Sequence, residues 1–188
     1  MPHCEVKLSE ENEILIKHVA LMDGYYKEDK QTQETIKDGW LHTGDEGHID
    51  AEGYLKITGR VKDLFKTSKA KYVAPAPIEM KLSANKNIEQ VCVVGTGLPQ
   101  PIALITLSEY GKSRPVEDVY GSLESTLKIV NPKFESHEPL KKIVVLDKEW
   151  TIENNLLTPS MKIKRNEVER LYKDNYTTWY EKDGHIVS

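Results

Sequence analysis

The chain has 188 residues, 38% hydrophobic and 30% charged, with a formal net charge of −4 at pH 7. That length suffices for one domain or one and a part, the composition is that of an ordinary soluble globular protein, and the slightly acidic balance gives no electrostatic footprint for nucleic acid. No apolar run approaches membrane-spanning length, Met1-Pro2-His3-Cys4-Glu5 is no signal peptide, and two cysteines make no disulfide framework, which together fit a reducing cytoplasm.

In chain order, Glu13 to Val19 reads as a strand. Asp23-Gly24 marks a turn, Asp29 is placed to cap a short helix through Thr35-Ile36, and Asp38-Gly39 is placed to end it. Gly39-Trp40-Leu41-His42-Thr43-Gly44-Asp45 reads as a loop that ends on its aspartate. A hairpin follows, with Asp50-Ala51-Glu52-Gly53 as its turn and Tyr54, Leu55 and Ile57 as its second strand. It runs into Thr58-Gly59-Arg60-Val61-Lys62-Asp63-Leu64-Phe65-Lys66. Nothing closes a core before Asp45, so the front segment reads as an incomplete subdomain.

From Val61 onward the pattern changes. Leu64 to Thr67 is a short strand. Ala74-Pro75-Ala76-Pro77-Ile78-Glu79 opens a helix, with Pro77 suited to the first turn and Glu79 to the positive end of the dipole. Ile88 to Thr96 is a strong strand in which Cys92 reads as a small buried hydrophobe. Ile102 to Leu107 is another, and Pro99 and Pro101 make the connection a loop. Val116, Val119, Tyr120, Leu123, Leu127 and Val130 recur at helical spacing. Lys142 to Leu146 is a third strand, and Asn166 to Tyr172 a closing helix with Val168 and Leu171 inward. Strands and helices alternating over about 120 residues predict a compact α/β (α+β) domain.

Three stretches carry candidate chemistry. Asp45 and Arg60 sit at neighbouring strand ends, where a carboxylate accepting two hydroxyl protons and a fixed guanidinium can clasp a polyol such as ribose. Lys66-Thr67-Ser68-Lys69-Ala70-Lys71-Tyr72-Val73-Ala74-Pro75 and Leu156-Leu157-Thr158-Pro159-Ser160-Met161-Lys162-Ile163-Lys164-Arg165 are lysine-rich. Taken alone, the second reads better as a solvated basic loop before a helix, and Lys71 in the first reads equally well as a surface lysine. The six histidines show no metal-ligand spacing with the cysteines. His42, Trp40 and Tyr54 read as structural, and Trp150, Trp179 and Tyr180 have no spacing that suggests an aromatic cage. There is no Gly-rich phosphate cradle.

Thr43-Gly44-Asp45 and Gly59-Arg60, at this separation and flanked by Gly-Trp-Leu-His and Gly-Tyr-Leu, resemble the AMP-forming acyl-CoA synthetases of the adenylate-forming ligase superfamily. The resemblance implies that residues 1–61 are the end of a large AMP-binding domain, the last piece of an incomplete β-barrel. Residues 62–188 would be the small mobile C-terminal domain, a short mixed sheet flanked by helices. It places Asp45 and Arg60 on the ribose of ATP, Lys71 near the phosphates, and Lys62 at the hinge. Lys162 matches the lysine that reaches the α-phosphate and the acid carboxylate during adenylation. Lys66 joins it as a catalytic lysine, while Ser68, Lys69 and Ala70 fall on the channel for the pantetheine arm of CoA. Lys69-Ala70 stand where glycine is expected.

Lys66-Thr67-Ser68, Lys71 to Pro75 and Thr158-Pro159 with Lys162 to Arg165 narrow the resemblance to long-chain fatty acid–CoA ligases. The implied co-substrates are fatty acid, ATP with its magnesium, and CoA, with no metal ligand in this chain. The implied partner is the remainder of the large domain, and the expectation for these residues alone is inactivity. Peripheral membrane association and pairing of two copies through unpaired front strands stay open. So do two alternatives: an adenylating enzyme that loads an acyl carrier protein, and a non-catalytic binding module.

Overall fold

The computed structural model describes residues 4–188. The chain separates into two units, Met1–Lys62 and Asp63–Ser188. The first unit contains β1 (Glu5–Leu8), β2 (Glu13–Lys17), α1 (Asp29–Thr35), β3 (Ile36–Lys37), β4 (Trp40–Ile49) and β5 (Leu55–Arg60). They form an open sheet in the order β1-β2-β4-β3, with β5 also paired to β4. All its pairings are antiparallel. Ile14 and Leu15 are buried, whereas Ile49, Tyr54, Leu55 and Ile57 are exposed.

Three local expectations change here. Asp29 lies in the first turn of α1, and the N-cap is Glu28, which makes no side-chain capping bond. Asp38 and Gly39 do not end the helix, which stops at Thr35. Both residues have positive φ, 51° and 79°, and they form the two-residue turn joining β3 to β4, where Lys37 faces Trp40. Two consecutive left-handed residues match the right-handed twist of the flanking strands. Finally, Asp45 lies inside β4 and not at the end of a loop, because the strand runs unbroken from Trp40 to Ile49.

The second unit contains β6 (Phe65–Lys66), β7 (Tyr72–Val73), α2 (Pro75–Leu82), β8 (Ile88–Val94), β9 (Ile102–Leu107), α3 (Glu109–Lys112), α4 (Val116–Val130), β10 (Lys142–Leu146), α5 (Arg165–Tyr172), α6 (Tyr176–Glu181) and β11 (Ile186–Val187). Its main sheet has the order β11-β10-β9-β8. β8 and β9 are antiparallel, while β9, β10 and β11 run parallel, so the sheet is mixed. Both faces are covered. Val91 and Val93, Ala103 and Ile105, and Ile143 and Val145 pack with Ile78, Leu82, Val119, Leu123 and Leu127. Cys92, Val94, Ile102, Leu104 and Val144 pack on the other side with Trp150, Leu156, Leu157, Val168 and Tyr176. Alternate residues therefore serve two cores, which is why these strands read as continuous apolar runs.

α4 buries Val119, Leu123, Leu127 and Val130, a stripe at helical spacing, and leaves Val116 exposed. In α5 Val168 points inward, but Leu171 is exposed and Tyr172 takes the inward place. Lys142 is buried in β10, where its Nζ donates to Gly184 O (2.9 Å). Burial, and then the neighbouring charge of Lys141, hold its ammonium below the usual lysine range. Among the described residues no helix is long and apolar enough to cross a membrane.

Candidate functional site

In the first unit the antiparallel register sets Asp45 opposite Arg60, and Arg60 Nη1 lies 3.0 Å from Asp45 Oδ1. A carboxylate with one oxygen held by an arginine keeps lone pairs for further hydroxyl donors. The approach to Asp45 is fixed by a residue that sequence reasoning missed. Glu13, at the start of β2, accepts from Gly44 N–H (2.8 Å) and lies 2.7 Å from His42 Nδ1. Thr43 Oγ1 donates to Ile14 O (2.8 Å) and accepts from Asp45 N–H (3.1 Å). Gly44 has φ of 71°, and a Cβ there would stand 3.4 Å from Arg60 Nη2. That contact alone is an ordinary one, so it is the left-handed backbone that calls for glycine here. Lys62, the hinge expectation, is exposed in the short 3₁₀ turn Val61–Asp63.

In the second unit Lys66, Ser68, Lys69, Ala70 and Lys71 come together in one hairpin, in which Lys66 faces Tyr72. Buried Thr67 organises it: its N–H donates to Lys71 O (2.9 Å), its carbonyl accepts from Ala70 N–H (3.0 Å), and its Oγ1 accepts from Lys71 N–H (3.3 Å). Ser68 N–H donates to Leu98 O (2.9 Å) and Gly97 N–H to Lys66 O (3.1 Å), which pins the hairpin to the β8–β9 loop. The four residues from Ser68 to Lys71 are exposed. Lys66 Nζ lies 5.5 Å from the centre of the Tyr72 ring. Ala70 adopts φ of 59°. The position marked by sequence as a departure from glycine is thus one whose backbone favours glycine.

Lys162 lies on a second tight loop. Thr158 N–H donates to Lys162 O (2.8 Å), and Lys162 N–H donates to Thr158 Oγ1 (3.0 Å). Leu157 and Ile163 bridge its base, and Met161 carries φ of 62°. The Lys162 side chain is exposed.

What holds this loop is the pair Arg165 and Glu79, which sequence reasoning gave no joint role. Arg165 Nη2 lies 2.7 Å from Glu79 Oε1, and Arg165 Nη1 donates to Val93 O (2.8 Å) and Cys92 Sγ (3.2 Å). Glu79 Oε1 also accepts from Val93 N–H (2.7 Å). β8 is the edge strand of its sheet, and at Val93 both outward backbone groups are satisfied by this ion pair, as a neighbouring strand would satisfy them. Glu79 therefore works as a tether in the second turn of α2 and not as a dipole partner at its start. Burial pushes the adjacent Cys92 thiol up to about 12, against an opposing pull from Arg165. The hairpin at 66–72 and the Lys162 loop are thus both anchored at the carboxyl end of β8. Among the described residues there is no cluster of three or more metal-ligating side chains.

A family model described as the AMP-binding enzyme C-terminal domain matches residues 62–184. The chain belongs to the AMP-binding enzymes. It is 30% identical to a long-chain-fatty-acid–CoA ligase of Mycobacterium tuberculosis over 200 residues, covering 97% of this chain and 33% of that enzyme. It is 35% identical to long-chain-fatty-acid–CoA ligase 5 of Mus musculus over 195 residues, covering 93% of this chain and 28% of that one. The chain thus spans about a third of the length of these relatives. Among solved structures, the adenylation domain of a carboxylate reductase from Mycobacterium chelonae superposes with a TM-score of 0.79 at 22% identity, over 96% of this chain and 32% of that one. The o-succinylbenzoate CoA synthetase of Bacillus subtilis, solved with its acyl-adenylate intermediate, gives 0.69 at 24%, over 90% and 34%. These two establish the shared fold.

Proposed function

We propose that this chain supplies the nucleotide-clasping edge and the mobile C-terminal domain of a long-chain fatty acid–CoA ligase. The supporting observation is the Asp45–Arg60 pair, held in register at 3.0 Å in a chain whose relatives are long-chain ligases. Asp45 would accept the ribose hydroxyls of ATP while Arg60 fixes the carboxylate. In the first half-reaction a fatty acid carboxylate oxygen bonds to the α-phosphorus and pyrophosphate leaves. Two anions meet in that step, and the exposed ammonium of Lys162 would neutralise both in the transition state. In the second, the CoA thiol bonds to the acyl carbonyl and AMP leaves, with the hairpin Lys66 to Tyr72 lining the thiol's approach and Lys71 near the phosphates. Lys62 would be the point about which one loop replaces the other. Magnesium would enter with ATP.

The experiment joins this chain behind the amino-terminal two thirds of the mouse ligase, in place of that enzyme's own carboxyl-terminal third. The hybrid should convert palmitate, ATP and CoA to palmitoyl-CoA and AMP, and Asp45→Ala in it should raise the KM for ATP. A folded hybrid that consumes no ATP in the presence of palmitate contradicts the proposal.

A further inference from the structure

Within the second unit, a concavity of about 630 Å³ opens beside the C-terminal end of α2, with α3 and α4 contributing to its wall. None of Lys66 to Tyr72 and none of Thr158 to Lys162 lines it. Its charge is one-sided. Lys81, Lys86, Arg114 and Lys133 line it and no carboxylate does, in a chain whose net charge is −4. Arg114 engages Asp118 (3.3 Å). Among the described residues Lys81, Lys86 and Lys133 form no ion pair. A concave wall carrying charge of one sign concentrates ions of the other.

The polar floor of the concavity is built by half-buried hydrogen bonds. Asn85 Nδ2 donates to Thr126 Oγ1 (2.8 Å) and Ser122 Oγ (3.1 Å), which fixes Asn85 Oδ1 as an acceptor. Asn87, only 2% exposed, donates its Nδ2 to that oxygen (2.9 Å) and to Ser122 Oγ (3.0 Å). This orientation leaves Asn87 Oδ1 buried without a partner. A buried amide oxygen of this kind is stabilised when a ligand brings a donor. Met80 and Ile129, both well exposed, lie on the rim.

We infer that this concavity binds the phosphate ester of a polyol, with the phosphate on Lys81, Lys86 and Lys133 and a ligand hydroxyl donating to Asn87 Oδ1. The same chemistry is carried by a free polyol phosphate and by the headgroup of an anionic phospholipid. For the lipid, Met80 and Ile129 would meet the acyl boundary.

The test uses the 188-residue chain, with the side-chain amide resonances of Asn85 and Asn87 followed by NMR. Millimolar glycerol 3-phosphate should shift both. Lys86→Ala with Lys133→Ala should weaken the binding about tenfold, since each exposed charge contact accounts for up to a few-fold in affinity. Lys148→Ala, off the concavity, should change nothing. If the alanine pair lowers the thermal midpoint, Lys86→Gln with Lys133→Gln replaces it. Co-sedimentation with phosphatidylglycerol vesicles but not phosphatidylcholine vesicles, lost in the same variant, assigns the ligand to a lipid. Soluble binding without vesicle binding assigns it to a free metabolite. The inference is overturned if neither glycerol 3-phosphate nor the anionic vesicles bind. It is equally overturned if the binding they show leaves the Asn87 amide unmoved or survives both lysine substitutions.

Discussion

Glu79→Ala removes the counter-ion of Arg165 and the acceptor of Val93 N–H at once. Both side chains of the pair are 18% exposed, so most of their surroundings are protein. Breaking a buried pair by removing one partner costs about 3–5 kcal/mol. Here the guanidinium keeps Val93 O and has Asp63 at 4.0 Å, which places the loss at the lower end, about 3 kcal/mol. Glu79→Gln retains an oxygen for Val93 N–H and loses only the charge, so about 1.5 kcal/mol is expected. In urea, with a slope of about 2 kcal/mol/M, the midpoint of the second unit should fall by about 1.5 M for Glu79→Ala and by about half that for Glu79→Gln. The buried Trp150, in the core that Arg165 closes, reports the transition by fluorescence. If Glu79→Ala stays within about 0.5 kcal/mol of the parent, or Glu79→Gln is equally damaging, the edge-strand tether is not what holds this loop.

Three further outcomes are expected. Ala70→Gly should stabilise the second unit by about 0.5 kcal/mol, because removing the Cβ from a left-handed position recovers about 1–2 kcal/mol while the freer unfolded glycine costs about 0.4–1; a loss in the urea midpoint counts against the φ at Ala70. Cys92 has its thiol held near 12 by burial, against an ordinary value of about 8.5. Stability from this group is therefore complete below the unfolded value and is lost as pH rises from there toward about 12. Cys92→Ala should flatten that alkaline slope, and an unchanged slope refutes the assignment. The 188 residues alone should show only background pyrophosphate exchange with ATP and palmitate, and clear fatty-acid-dependent exchange would mean that they hold a complete site.

The two-sided burial of β8, β9 and β10 made those strands legible, since apolar residues fill mostly consecutive positions, with Gly95 directly after β8 and Pro101 directly before β9. α4 was legible to its ends because Val119, Leu123, Leu127 and Val130 keep helical spacing. Asp38-Gly39 was not, because the same dipeptide serves a helix end and a hairpin turn, and only pairing of Lys37 with Trp40 decides between them. β11 has two residues and takes its place from its parallel pairing with β10. At the candidate site the residues carrying local motifs were legible, and those acting through space were not. Glu13 meets Gly44 from 31 residues away, and Glu79 meets Arg165 from 86. No spacing rule spans such distances. Ala70 is a middle case: its unusual side chain was visible in the sequence, but the left-handed backbone that makes it unusual was not.

The most direct test compares the two half-reactions in the hybrid ligase carrying Lys162→Ala. An electrostatic contact made in the transition state contributes about two to three powers of ten in rate. Acyl-adenylate formation from palmitate and ATP should fall by that factor. Conversion of synthetic palmitoyl-adenylate and CoA to palmitoyl-CoA should stay at the parent rate. Equal slowing of both steps, or an unchanged first step, would contradict the assignment of Lys162 to adenylation.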